Sequence, residues 1–150
     1  MKNPLFEKLF EKNKERNDTF LLLENESTLT FKSFIKIVNL FSGSLINLGL
    51  LPGDRVAVKL EKSYFFLALY GACVRSGMIF LPLNDSYTSE EIIFFLNDSE
   101  AKLFITTSSQ SKNLPEVLLQ KKALLLRTLD KDGSGTFSEV AGRAIQKSQP

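Results

Sequence analysis

From Arg55 onward the chain keeps one rhythm. A short run of bulky aliphatic residues gives way to a longer amphipathic stretch, and then the aliphatic run returns. RVAVKL (55–60), MIFLPL (78–83), AKLFITT (101–107) and ALLLRTL (123–129) have the length and composition of strands. Between them lie Tyr64–Arg75, with Ser63 placed to cap it and Gly77 to close it, a segment from Thr88 to about Leu96, and PEVLLQK (115–121). Thr88 and Glu91 have the Thr-x-x-Glu spacing of a capping box, in which each residue satisfies a backbone donor of the first helical turn. Strands that alternate with helices at this spacing build βαβ units, whose crossovers lay each strand parallel to its neighbour. The sequence therefore predicts an α/β fold of Rossmann-like type with a largely parallel sheet. Strands as apolar as VAVKL, MIFLPL and LFIT need cover on both faces. We expect 150 residues to supply only part of that cover, leaving an exposed apolar surface near the sheet and the C-terminal residues that favours self-association.

The first fifty residues are organised differently. Leu5, Phe6, Leu9 and Phe10 fall at helical spacing within Pro4–Phe10. FLLLENESTLT (20–30) reads as two short strands around Asn25-Glu26, a hairpin on the margin of the sheet. Thr30 can cap a long helix whose apolar stripe is Phe31, Phe34, Ile35, Val38, Phe41 and Leu45. Gly49 ends that helix and LPGD (51–54) turns the chain. At the other end, Phe137–Gln146 is expected to be helical, and DKDGSG (130–135) is the one stretch with a flexible composition.

Composition narrows the chemistry. The chain has one cysteine and no histidine, which excludes an internal disulfide, a Cys/His zinc site and a histidine general base. Cys73 lies in the apolar run YFFLALYGACV and reads as a buried structural thiol. That run is too short to cross a bilayer, so no membrane partner is expected. With 19 Lys and Arg interleaved among 17 Asp and Glu, there is no electrostatic case for nucleic acid. The N-terminal MKNPLFEKLFEKNKERND mixes Glu with Lys, unlike a signal or transit peptide, and a cytoplasmic chain is expected.

Only one segment invites a metal. Counting from Asp130, the residues Asp132, Ser134, Thr136 and Ser138 fall at positions three, five, seven and nine of a calcium-loop pattern, with Gly135 at six. Position twelve, where a bidentate Glu closes the calcium shell, is Ala141. A stand-alone α/β binding or interaction module carrying a degenerate calcium loop at 130–141 is thus the alternative reading. Asp85, Glu90 and Glu91 read as loop solubility and helix-start charge, Tyr87 as a packing aromatic, and Asp54 and Arg55 as a solvated strand start. These residues assemble no nucleophile, base and oxyanion site, so the sequence yields no catalytic, cofactor-binding or metal residue.

A longer pattern carries further. The long helix followed by Leu48-Gly49, the turn and strand LLPGDRVAV, the helix ending ACVRSGMIF, the strand end LPLN, the helix TSEEIIFFLNDSEAK and the strand LFIT occur in one order over about a hundred residues. In that order the chain resembles the N-terminal part of the adenylate-forming (AMP-binding) acyl-CoA synthetases. Within that family NPLFEKLFEK, LPLNDSYT and TLDKDGSGTFSEVAG make it most similar to bacterial malonyl-CoA synthetases. The resemblance implies a partial N-terminal domain over 1–150, with about 129–150 as a polar bridge towards a phosphate-binding loop that would follow Pro150. It implies ATP, CoA and Mg as the whole enzyme's cofactors, malonate or another small carboxylic acid as substrate, a place in fatty-acid metabolism, and a downstream part of the synthetase as partner. None of the family's nucleotide motifs matches a residue here, so the chain by itself is expected to be inactive and to bind none of the cofactors tightly.

Overall fold

The structure is a computed structural model and describes residues 3–121 and 123–141. It opens with α1 (Pro4–Leu9), where Asn3 Oδ1 accepts from the Leu5 N–H and proline stands in the first turn, where a missing donor costs nothing. One 3₁₀ turn (Glu11–Asn13) leads to the antiparallel pair β1 (Thr19–Leu22) and β2 (Thr28–Thr30). This hairpin forms a two-stranded sheet of its own and does not extend the main sheet, as its sequence had suggested. A free hairpin is marginal in water, and here ring contacts anchor it. Phe20 lies 4.7 Å from Phe31 and 4.8 Å from Phe34, both on the next helix.

That helix is α2 (Phe31–Asn47). Thr30 Oγ1 accepts from the Ser33 N–H at 3.1 Å, and Phe34, Ile35, Ile37, Val38, Phe41 and Leu45 form its buried face. It packs against α3 (Tyr64–Ser76), opened by Ser63 Oγ, which accepts from the Phe66 N–H, and closed by Gly77.

The main sheet holds β3 (Arg55–Lys59), β4 (Ile79–Pro82), β5 (Leu103–Thr106) and β6 (Leu125–Thr128), all parallel in the order β4-β3-β5-β6. Val56 is in register with Phe80 on one side and Leu103 on the other. The remaining helices are α4 (Ser89–Asp98), with the expected Thr88/Glu91 capping box, then α5 (Ser108–Ser111), α6 (Glu116–Leu119) and α7 (Thr136–Ala141). The helix expected over 137–146 is thus seen to Ala141, and the rest of it lies outside the described residues.

Alternation along the strands sorts the covering helices. Val56, Val58, Leu103 and Ile105 face α2, α3 and Phe137, whereas Ala57 and Phe104 face Ile92 and Leu96 of α4 and Leu118 of α6. Among the described residues, both central strands are therefore covered on both faces by the chain's own helices. Exposed apolar side chains sit elsewhere, on the outer surfaces of α4 and α6 (Phe94, Val117, Leu119), on the hairpin (Leu22) and on edge strand β4 (Ile79). MIFLPL, read as a buried strand, is this half-exposed edge. No described helix is long and apolar enough to cross a membrane.

Candidate functional site

In an open parallel sheet, ligands are received in the crevice outside the carboxyl ends of two adjacent strands whose connections leave in opposite directions. Here those strands are β3 and β5. The chain leaves β3 through α3 on one face of the sheet and leaves β5 through α5 and α6 on the other. The crevice lies between Leu60, Glu61 and Ser63 on one side and Thr107, Leu129 and Asp130 on the other, and its volume is about 10 Å³. That is room for about one water molecule.

The occupant is the chain itself. Asp130 accepts from the Ser108 N–H at 2.9 Å through Oδ1 and from the Ser108 hydroxyl at 2.5 Å through Oδ2. The carboxylate thus stitches the end of β6 to the start of α5, a contact spanning 22 residues. Lys131, the next residue, pairs with Glu24 of the hairpin at 3.0 Å. Beside this plug runs an open groove of about 490 Å³, lined by Leu21, Leu22 and Glu24 of the hairpin, Tyr64 and Leu67 of α3, and Lys131.

The loop after Asp130 is folded rather than flexible. Gly133 and Gly135 have φ of 86° and 124°, where L residues are strained. A Cβ on Gly133 would lie 2.5 Å from the Phe65 ring, and one on Gly135 would lie 2.3 Å from the Thr128 carbonyl oxygen. Phe137 then enters the core, fully buried, with its ring edge-on to Phe41 at 5.1 Å. Within the segment expected as a polar bridge, Gly133, Gly135 and Phe137 pack against Phe65, Thr128 and Phe41.

This packing opposes the calcium reading. Asp130 is committed to Ser108, and Asp132 accepts from the Ser134 N–H and hydroxyl. Those two Ser134 bonds, the hydroxyl's foremost, hold the Asp132 carboxyl below the ordinary carboxylate range. Thr136 Oγ1 accepts from the Thr128 N–H at 2.9 Å, and the Ser138 hydroxyl donates to the Gly133 carbonyl. The loop's side-chain oxygens are thus engaged by the chain's own donors and acceptors, and no group of three metal-ligating residues stands among the described residues. The other candidates are likewise engaged locally. Glu91 accepts from the Thr88 N–H, Asp54 accepts from the Leu51 N–H, and Tyr87 stacks on Phe95 at 4.9 Å. Asp85 and Glu90 are exposed, and Arg55 is the exposed first residue of β3. Cys73 is buried, and desolvation pushes its thiol up to about 12, so it is no nucleophile.

What the arrangement offers is a four-stranded parallel sheet whose switch-point crevice is occupied by the chain's own Asp130. The profile of the AMP-binding enzyme family matches residues 9–149. The chain belongs to that family. Among its relatives, the probable CoA ligase CCL9 of Humulus lupulus is 35% identical over 86 residues, which is 57% of this chain and 16% of CCL9. Tyrocidine synthase 2 of Brevibacillus parabrevis is 31% identical over 134 residues, 89% of this chain and 3% of that protein. MatB from Rhodopseudomonas palustris, solved without ligand and with ATP bound, superposes with a TM-score of 0.85 at 30% identity, covering 95% of this chain and 28% of the MatB chain. The chain therefore has the fold of the N-terminal domain of MatB and other acyl-CoA ligases and spans a minor share of the length of each of these relatives. The residues present do not fit ATP. The switch-point crevice has room for about one water molecule, and the glycine-bearing loop that leads from β6 into α7 beside it spends its N–H groups on its own turns, Gly133 donating to the Asp130 carbonyl, Ser134 to Asp132 and Thr136 to Thr128.

Proposed function

We propose that this chain serves as the N-terminal, scaffold part of an ATP-dependent acid–CoA ligase that converts malonate, ATP and CoA to malonyl-CoA, AMP and diphosphate. The superposition on MatB over 95% of the chain carries the ligase reading. Malonate rests on the similarity of NPLFEKLFEK, LPLNDSYT and TLDKDGSGTFSEVAG to bacterial malonyl-CoA synthetases. In this reading the chain's own residues perform no chemical step. They build a rigid half-sheet, seal its crevice with Asp130, and leave the groups that neutralise transferring phosphates, magnesium included, to the part of a synthetase that follows in its relatives. That part is the chain's principal partner, the exposed apolar residues on α4 and α6 are where self-association would begin without it, and the cytosol is where the reading places the enzyme.

The test is malonate-dependent pyrophosphate release with ATP and magnesium. The 150-residue chain alone is expected to match a no-protein control, and the chain continued by the downstream part of a synthetase is expected to exceed it. Release by the chain alone that disappears in the core variant Phe104→Asp would overturn the reading.

A further inference from the structure

A cation stands on the sheet outside the plugged crevice. Lys59 is the last residue of the central strand β3 and is only 7% exposed. Parallel pairing sets it level with Thr106 of β5, and residues in register share a face of the sheet. That face is the one covered by α4 and α6, because Ala57 and Phe104, two residues earlier on each strand, pack there. Among the described residues the Lys59 ammonium has neither an ion-pair partner nor a hydrogen-bond acceptor. Among the described residues the fully enclosed side-chain atom without a partner is Ser99 Oγ, so Lys59 Nζ keeps some contact with solvent while its stem is buried. In register with it, the buried Thr106 hydroxyl donates to Gln110 Oε1 at 2.7 Å, and the two N–H groups of Gln110 Nε2 have no partner among the described residues.

The carboxyl ends of β3 and β5 thus present an ammonium and an amide N–H₂ with no protein acceptor among the described residues. Donors at such a rim are met by water or by an anionic oxygen group, and the carboxyl ends of parallel strands are where α/β folds receive anionic ligands. We propose that Lys59 and Gln110 form a binding site for a small oxyanion, a carboxylate or a phosphoryl group, on the α4 side of the sheet. The site does not depend on the ligase reading, and it lies apart from the crevice that Asp130 fills.

Calorimetric titration of the 150-residue chain with malonate and, separately, with inorganic pyrophosphate at fixed ionic strength tests this. The expected result is saturable binding of at least one probe, and the tighter one identifies the source as carboxylate or phosphoryl. Lys59→Met keeps the stem and removes the charge, and should weaken binding by about tenfold or more, the effect of one charge-assisted hydrogen bond. Lys59→Arg should retain binding, as should Lys36→Met, which removes an exposed charge from α2. Circular dichroism matching the parent establishes that each variant is folded. The proposal is overturned if neither probe saturates, or if Lys59→Met and Lys36→Met weaken binding equally, which would mark diffuse charge attraction.

Discussion

Replacing Phe137 with alanine separates a packed cap from a loose bridge. Phe137 is fully buried against Phe41 in the main core, and it is the anchor that follows two tightly fitted glycines. Deleting a buried phenylalanine ring costs about 3–5 kcal/mol, since the cavity relaxes only in part. The edge-to-face pair with Phe41 accounts for about 0.5–1.5 kcal/mol of that. Set against a whole-domain stability of about 5–15 kcal/mol, the loss is a large fraction. In a chain of this size it corresponds to a fall in Tm of about 6–20 °C. Urea unfolding followed by far-UV circular dichroism reads it as a lower midpoint at unchanged slope. Leu119→Ala removes a side chain that is 58% exposed and should stay within about 0.5 kcal/mol of the parent. A loss below about 1 kcal/mol for Phe137→Ala, with the Leu119 control behaving as expected, would refute the packed-cap account.

Cys73 should be silent to a thiol reagent in the native chain and react once urea unfolds it; labelling at the rate of a free thiol in native buffer would contradict its burial. Because its folded pKa is raised to about 12, its contribution to stability is intact below the ordinary thiol range near 9 and is lost as pH climbs from there towards 12. Asp130→Ala removes both acceptors of Ser108 and should lower stability by about 1–3 kcal/mol in urea unfolding, with an effect under about 0.5 kcal/mol counting against the plug. Calcium titrated into the parent chain should show no micromolar site, and a saturable heat that Asp130→Ala abolishes would restore the calcium reading.

The half of the fold built on periodicity was legible in the sequence. RVAVKL, LFIT and their neighbours announced a parallel sheet because strands covered on both faces are apolar over consecutive positions, and Ser63, Thr88 and Glu91 marked helix starts by chemistry confined to one turn. Long-range contacts were not legible. Nothing local says that Asp130 caps Ser108 and not a metal, since the same Asp/Ser/Gly composition serves turns, calcium loops and plugs alike. The misplaced hairpin has the same origin, because a strand's alternation does not reveal which strand it joins. In the sequence Lys59 is one more residue of a strand. Only the register with Thr106 and the lack of a counter-charge distinguish it.

The most direct test of the central claim is a graft. This chain replaces the matching segment of Rhodopseudomonas palustris MatB, and ATP-dependent acyl-CoA formation is measured with MatB's own acid. A scaffold half-sheet that performs no chemistry should sustain the reaction with kcat/KM within about tenfold of the parent, or about 1.4 kcal/mol of transition-state stabilisation. A folded chimera that still binds ATP but forms no acyl-CoA would contradict the account.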